Sequence, residues 1–408
     1  MMITSLKQPV PAVGGGAIQT LITTLLDENE IHKKFRFIVI SVSNKKAEAY
    51  HYNYSRIYFC HRGIIKCGFL PLTYAVCYFF KLLGKCEKTV RKIFGVIPAN
   101  KESIAINSFF MQCCRIAKKE KVDLVICEGT MNPPQYERFH RIVGRDNLFY
   151  HLHCHKTEDL SVRNAVPNSI AISQFVKKEW AITPISGSRN IVLYNGIDIE
   201  GFSTEITKEQ RKALRNRYGV LDDEFLAVYC GRIVPVKGVE ELLKAFQLLK
   251  GHPVKLLLIG SVAFSDDTTT DFSERMASFA DSMDLVIRLG YVPNEEMPRY
   301  YKMADFQIIP SIWQEGAGLV AIEGMASGLP LIITDSGGMV EYVSDECAIK
   351  VPINDELPEN LAAAVLRLID DRELMKRMGE KGIERARLFT KEKYYSDFAK
   401  AFSDDRTN

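Results

Sequence analysis

Continuous apolar runs such as Lys255-Leu256-Leu257-Leu258-Ile259 are the strongest constraint on what this chain can fold into, because they show no apolar/polar alternation. A strand with one face in water alternates, whereas a strand covered on both faces need not. Runs of this kind belong to parallel sheets layered between helices. Strand candidates recur at 35–41, 124–127, 148–152, 169–172 and 191–193, and again at 225–229, 254–259, 286–289, 306–309 and 331–334. Helical patterns fall between them at 174–180, 239–250, 272–281, 297–303, 318–327 and 361–370. The arrangement occurs twice, which predicts an α/β protein of two doubly wound, Rossmann-like domains. A length of 408 residues agrees with two domains of roughly 200 residues each. The turn-rich sequence ITPISGSR, ending at Arg189, sets the expected boundary between domains 1–188 and 189–408. Ligands of open α/β sheets sit beyond the carboxyl ends of the strands, so the expected site is the cleft between the domains. A last helix is expected over 391–402, and the sequence does not say where it packs.

A net charge of +3 is close to neutral for this length and argues against a nucleic-acid partner. The ten cysteines are scattered, with Cys113 and Cys114 adjacent and no C-x-x-C. With no secretory pattern at the start, a reducing cytoplasm without disulfides is the expectation. The apolar stretch 63–84 is interrupted by Lys66, Pro71 and Lys81, so a surface-lying or core segment is expected rather than a span. Around it, residues 56–92 hold eight Lys and Arg against Glu87 alone, interleaved with aromatic side chains. That mixture suits an anionic membrane surface, giving a peripheral protein at the inner face of the membrane; an amphipathic helix pair with a solvated basic edge fits it too.

Three segments carry chemistry. Val13-Gly14-Gly15-Gly16 opens a helical stripe, where backbone N–H groups can approach an anion; a plain turn before a helix fits the same residues. Gly231-Arg232-Ile233-Val234-Pro235-Val236-Lys237-Gly238 follows a strand and presents two cations suited to a departing diphosphate, or simply to solvent. Glu315-Gly316-Ala317-Gly318-Leu319-Val320-Ala321-Ile322-Glu323 puts one carboxylate in a loop and the second on the helix opening near Gly318. Such carboxylates can accept hydrogen bonds from sugar and ribose hydroxyls, or can favour a helix N-terminus for dipole reasons alone.

Together the last two segments, with Tyr194-Asn195-Gly196-Ile197-Asp198 and Met325-Ala326-Ser327-Gly328-Leu329-Pro330, resemble the retaining glycosyltransferases of family 4, which have the two-domain GT-B architecture. The resemblance implies transfer of a sugar, with retention, from a nucleotide diphosphate donor (a UDP-sugar is expected) to an acceptor hydroxyl. The expected acceptor is a lipid-linked glycan in cell-surface polysaccharide assembly. It implies an acceptor-binding first domain and a donor-binding second domain. Arg232 and Lys237 would hold the diphosphate, Glu315 the transferred sugar and Glu323 the ribose. Gly316, Ala317, Gly318, Leu319 and Val320 would offer backbone contacts, Val292 would lie near the base, and Gly15 and Gly16 would face the diphosphate. A histidine is implied near the anomeric carbon. His151, His153 and His155 are candidates; strand alternation puts the first two on one face, and His153 is favoured. These histidines lack nearby carboxylate partners in the sequence, and no Asp-x-Asp occurs, so neither metal nor other cofactor is expected. A sugar-nucleotide epimerase of the same architecture and a non-catalytic sugar-nucleotide-binding module are the alternatives.

Overall fold

The structure is a computed structural model that describes residues 1–4, 8–13, 16–60, 101–129, 131–262 and 269–403. Gly15, the stretch 63–84 and most of 56–92 lie outside the described residues. Among the described residues no helix is long and apolar enough to cross a membrane.

The chain forms two compact units. The first comprises Met1–Leu152, Thr157–Ala171 and Trp180–Ile191; the second comprises His153–Lys156, Ile172–Glu179 and Val192–Asn408. The first unit holds seven strands: β1 (Met2–Ile3), β2 (Phe37–Val42), β3 (Ser55–Cys60), β4 (Val125–Cys127), β5 (Leu148–Leu152), β6 (Asn168–Ala171) and β7 (Asn190–Val192), in the order β3-β2-β1-β4-β5-β6-β7. The second unit holds β8 (Phe225–Cys230), β9 (Val254–Ile259), β10 (Val286–Gly290), β11 (Phe306–Ile309), β12 (Leu331–Thr334) and β13 (Ala348–Val351), in the order β10-β9-β8-β11-β12-β13. Every pairing from β8 through β13 is parallel, as are those from β1 through β6. Both sheets are Rossmann-like, and in each the strand order reverses once, between β1 and β4 and between β8 and β11.

The continuous apolar runs have the expected cause. Side chains of β8 alternate between two separate cores: Phe225, Ala227 and Tyr229 enter one with Leu256 and Leu258, while Leu226 and Val228 enter another with Leu257 and Ile259. Both faces are covered, so neither set can be polar. The last helix, Lys391–Ser403, docks through the segment at 194–198. Ile197 bridges to Thr390, its N–H bonds Phe389 O at 3.0 Å, and Lys391 N–H returns to Ile197 O at 2.9 Å. A Cβ on Gly196 would lie 2.3 Å from Thr390 O, so this position excludes any larger residue.

Candidate donor site in the second unit

Parallel β8 and β11 are neighbours, with Phe306 opposite Ala227 and Gln307 opposite Val228, so the loops leaving their carboxyl ends emerge side by side. This is the switch point of the second sheet, where a doubly wound fold leaves a crevice. The two loops carry Arg232/Lys237 and Glu315 respectively. They are fastened to one another: Val236 O accepts from Ile312 N at 3.1 Å and Trp313 N at 3.2 Å. Gly238 turns with φ +67°, and a Cβ there would meet Pro310 O at 1.9 Å, so only glycine permits this approach.

Glu315 is fixed through side chain and backbone alike. Its Oε1 receives Lys237 Nζ at 2.5 Å and Ser311 Oγ at 2.6 Å. Its N–H reaches Ser336 Oγ at 3.3 Å, and its carbonyl accepts Gly338 N at 2.6 Å. Gly337, at φ +54°, lies under it so closely that a Cβ would come within 2.4 Å of the Glu315 carbonyl. Oε2 makes no hydrogen bond to a described residue, which leaves one carboxylate oxygen free to accept. Arg232 is exposed and has no ion pair among the described residues; its carbonyl is held by Tyr229 Oη at 3.0 Å. Tyr229 feels both Glu315 and Arg232 electrostatically, and burial above all raises its hydroxyl pKa.

The helix Leu319–Ala326 begins at Gly318 with no side-chain cap. Ala321 and Ile322 N–H turn back to Gly318 O, while those of Leu319 and Val320 bond no described residue. These orphan donors are what an anion at a helix N-terminus uses. Gly316 packs against the chain at Cys154, where a Cβ would stand 3.1 Å from Cys154 Cα. One turn along, Glu323 Oε2 accepts the Tyr301 hydroxyl at 2.8 Å, and Oε1 stays unbonded to any described residue. Burial pushes the Glu323 carboxyl up to about 7, against the opposing pull of the Tyr301 bond. Tyr301 is fully buried in the helix Met297–Met303 and is met by Gln307 Nε2 at 3.4 Å. The nearby Cys230 thiol is pushed up to about 12, by burial first and then by the Glu323 charge. The ends of β8, β9 and β10 are laced together by Gly231 N to Ile259 O at 3.1 Å and Gly260 N to Gly290 O at 2.8 Å. Val292 follows Gly290 at that same edge, half-buried against the Leu226/Val228 core.

Around the end of β5 the histidines differ from the expectation in position and in partners. β5 ends at Leu152, so His153 lies just past the strand, and it is counted with the second unit. His151 also has a carboxylate neighbour. Cys127 of β4 stands opposite Tyr150 of β5, so Glu128 falls beside His151, and Oε2 lies 2.9 Å from Nδ1 with both residues buried. The two are 23 residues apart in sequence, and only the strand register brings them together. His155 belongs to the second unit, beside Glu179 at 3.5 Å and near the Phe175 and Trp313 rings. Gly16 begins the helix Ala17–His32 at φ +104°, and a Cβ would lie 2.4 Å from Gln19 Oε1.

Ser311, Ser336 and Tyr301 were not anticipated from sequence. Ser336-Gly337-Gly338 directly after β12 was the available signal, a glycine pair at the carboxyl end of a strand beside the site.

The chain is similar to known glycosyltransferases over part of its length. Residues 210–385 match the family described as Glycosyl transferases group 1. An uncharacterized glycosyltransferase of Methanocaldococcus jannaschii is 30% identical over 204 residues, covering 50% of each chain. The capsular polysaccharide biosynthesis glycosyltransferase CapM of Staphylococcus aureus is 29% identical over 224 residues, 53% of this chain and 56% of that one. The chain thus spans about half the length of the curated relatives it matches. The crystal structure of Anabaena HepE in complex with UDP-glucose superimposes with a TM-score of 0.68 at 19% identity, covering 99% of both chains. The loops that bear Arg232, Lys237, Glu315 and Glu323 therefore lie within the segment that is similar to the Glycosyl transferases group 1 family, in a chain whose two Rossmann-like units have the GT-B fold.

Proposed function

We propose that this protein is a retaining, metal-independent glycosyltransferase that moves a sugar from a UDP-sugar to the hydroxyl of a lipid-linked glycan acceptor. The observation that carries the reading is the Lys237–Glu315 pair at the second switch point, flanked by the unpaired Arg232 and the uncapped helix at Gly318. A nucleoside diphosphate gains charge as it leaves, and preorganised cations and N–H groups stabilise that charge most where it develops. In the reaction the anomeric C–O bond to the diphosphate breaks. The acceptor oxygen forms its bond on the same face, and its proton passes to the departing phosphate. Arg232, Lys237 and the N–H groups of Leu319 and Val320 take the diphosphate, Glu315 Oε2 takes a sugar hydroxyl, and Glu323 Oε1 takes the ribose. Gly316, Ala317 and Gly318 let the sugar and phosphates lie against backbone, Val292 adjoins the base, and His153 serves the anomeric centre.

The second unit is then the donor domain, and the first takes the acceptor. The UDP-glucose complex of HepE supports the choice of donor class, and the capsular role of CapM supports a cell-surface glycan as acceptor. The basic, aromatic stretch 56–92 fits work at the inner face of an anionic membrane. The test is transfer of label from a panel of UDP-, GDP- and dTDP-sugars to an acceptor, read with release of nucleoside diphosphate. Label that stays on the nucleotide and changes only its sugar configuration refutes transfer.

A further inference from the structure

A cavity of the first unit lies beside the start of β2 and along β3. Its volume is about 650 Å³, within the usual range of small-ligand sites. The wall is made by residues that precede β2, by those that lead into β3 and by residues of β3 itself, and includes Lys33, Lys34, Tyr50 and Tyr54. It is held in shape: the fully buried Asn29 pins Phe35 through both its N–H, at 3.0 Å, and its carbonyl, at 2.8 Å. The acids around the cavity are engaged. Glu120 takes Arg36, Arg56 and Tyr58; Glu30 takes the N–H groups of Asn53 and Tyr54; Asp27 takes the Tyr52 hydroxyl; Glu48 takes Ser43. Lys33 and Lys34 are exposed and have no acidic partner among the described residues. Tyr50 and Tyr54 are 54% and 41% exposed, and Lys33 Nζ lies 5.1 Å from the Tyr54 ring centre.

Lys33 also occupies a costly backbone position. It ends the helix Ala17–His32 at φ 56° and ψ 31°, the left-handed conformation that glycine fills far more easily. A strained non-glycine residue whose ammonium extends over an exposed ring is a reason to look for a ligand. The C–H faces of a sugar ring carry partial positive charge and pack on the negative face of an aromatic ring. Carboxylates on the same sugar would meet the lysines. We propose that this cavity binds an acidic oligosaccharide, its carboxylates paired with Lys33 and Lys34 and its rings laid on Tyr50 and Tyr54. The site would hold a charged glycan on the first unit and needs no donor to do so.

Isothermal titration of the full-length protein with tetragalacturonate, without nucleotide sugar, tests this directly. The wild type should bind it at least about tenfold more tightly than neutral maltotetraose or inorganic phosphate, as lost charge pairing or lost ring contact each costs that order of affinity. The double variant Lys33→Gly, Lys34→Glu should lose tetragalacturonate binding by tenfold or more. Its melting temperature should equal or exceed that of the wild type, since glycine relieves the left-handed position. Lys208→Glu, an exposed lysine on the second unit, should change nothing. Equal affinity for maltotetraose, equal affinity for phosphate, or undiminished binding in the double variant would each overturn the proposal. None of these outcomes depends on glycosyl transfer.

Discussion

At the β8/β11 switch point two loops present a lysine bonded to a glutamate, an unpaired arginine and an uncapped helix N-terminus. At the β1/β4 switch point of the first unit, the corresponding strand ends lead to Gly16 and to Glu128, the latter closed onto His151 inside the protein. The backbone plan is the same and the furnishing is not. The second crevice offers positive charge to a ligand and holds its carboxylates in place. In the first, the carboxylate and the imidazole are bonded to one another under cover. A parallel sheet thus supplies the location of a site through its topology alone, and the chemistry comes from a few residues in the loops.

The largest expected effect tests the charged side of that contrast. Lys237→Ala and Arg232→Ala should each reduce turnover by about 10²-fold or more, the usual consequence of removing a preorganised charge from a developing anion. Lys237→Ala should be the worse of the two, because it also leaves Glu315 without its cation. Steady-state rates with a UDP-sugar decide it, and near-normal turnover in both variants would remove the distinction between the two crevices.

Next in size is a pH effect at Glu323. Its carboxyl stands near 7 in the folded protein against an ordinary 4.5, so between those values the folded state holds more protons than the unfolded one. Stability should therefore fall as pH rises through that window, by at most about 3 kcal/mol. Glu323→Gln should flatten the dependence. Ribose hydroxyls donate to the carboxylate form, so donor affinity in the wild type should rise from pH 6 to pH 8 and stay flat in Glu323→Gln. Cys230 and Tyr301, the titratable neighbours, are raised too far to ionise in that range. Melting curves and donor titrations across pH check both parts; a wild-type profile matching the variant's would show that the buried carboxyl does not govern binding.

How far the sequence carried the reading follows from the same physics. β9, β11 and β12 were legible to the residue because each is mostly apolar, as a strand covered on both faces is, and turns bound them. β3 and β13 were not, since edge strands such as Ser55–Cys60 and Ala348–Val351 keep exposed polar residues like Arg56 and Lys350. β1 sits mid-sheet yet is only Met2–Ile3, too short to leave a pattern. Arg232, Lys237, Glu315 and Glu323 were visible because each lies in a local motif. Ser336, Tyr301 and Glu128 reach their partners only through strand register or helix packing, which no local spacing encodes. The segment at 194–198 was legible as a motif, while its role as the dock for the last helix depended on Thr390 and Lys391 far along the chain.

A smaller effect should follow from opening the first unit's pair. Glu128→Gln removes the carboxylate beside the buried His151 and should lower unfolding free energy by about 1–3 kcal/mol, the cost of leaving a buried polar group poorly partnered. UDP affinity should change little, because the side chains assigned to the diphosphate and ribose, those of Arg232, Lys237 and Glu323, all lie in the second unit. Chemical denaturation and UDP titration of the same preparation separate the two quantities. A loss of UDP affinity equal to that of Arg232→Ala would mean that the first switch point shares the donor chemistry after all.

The last expectation is an effect of nothing. If Arg232, Lys237 and the N–H groups at Gly318 neutralise the diphosphate, prolonged treatment with EDTA should leave turnover unchanged, and added manganese or magnesium should not raise it. The first unit makes this a real test, because Glu128 beside His151 gives that region the carboxylate and imidazole that divalent ions favour. The second unit supplies two cations where a metal would otherwise sit against phosphate, and a third positive charge there would face their repulsion. Activity abolished by the chelator and restored by one divalent ion would transfer the neutralising role from the second unit's loops to a bound metal. In that case Lys237→Ala should cost much less than about 10²-fold, so the chelation result and the lysine variant must agree.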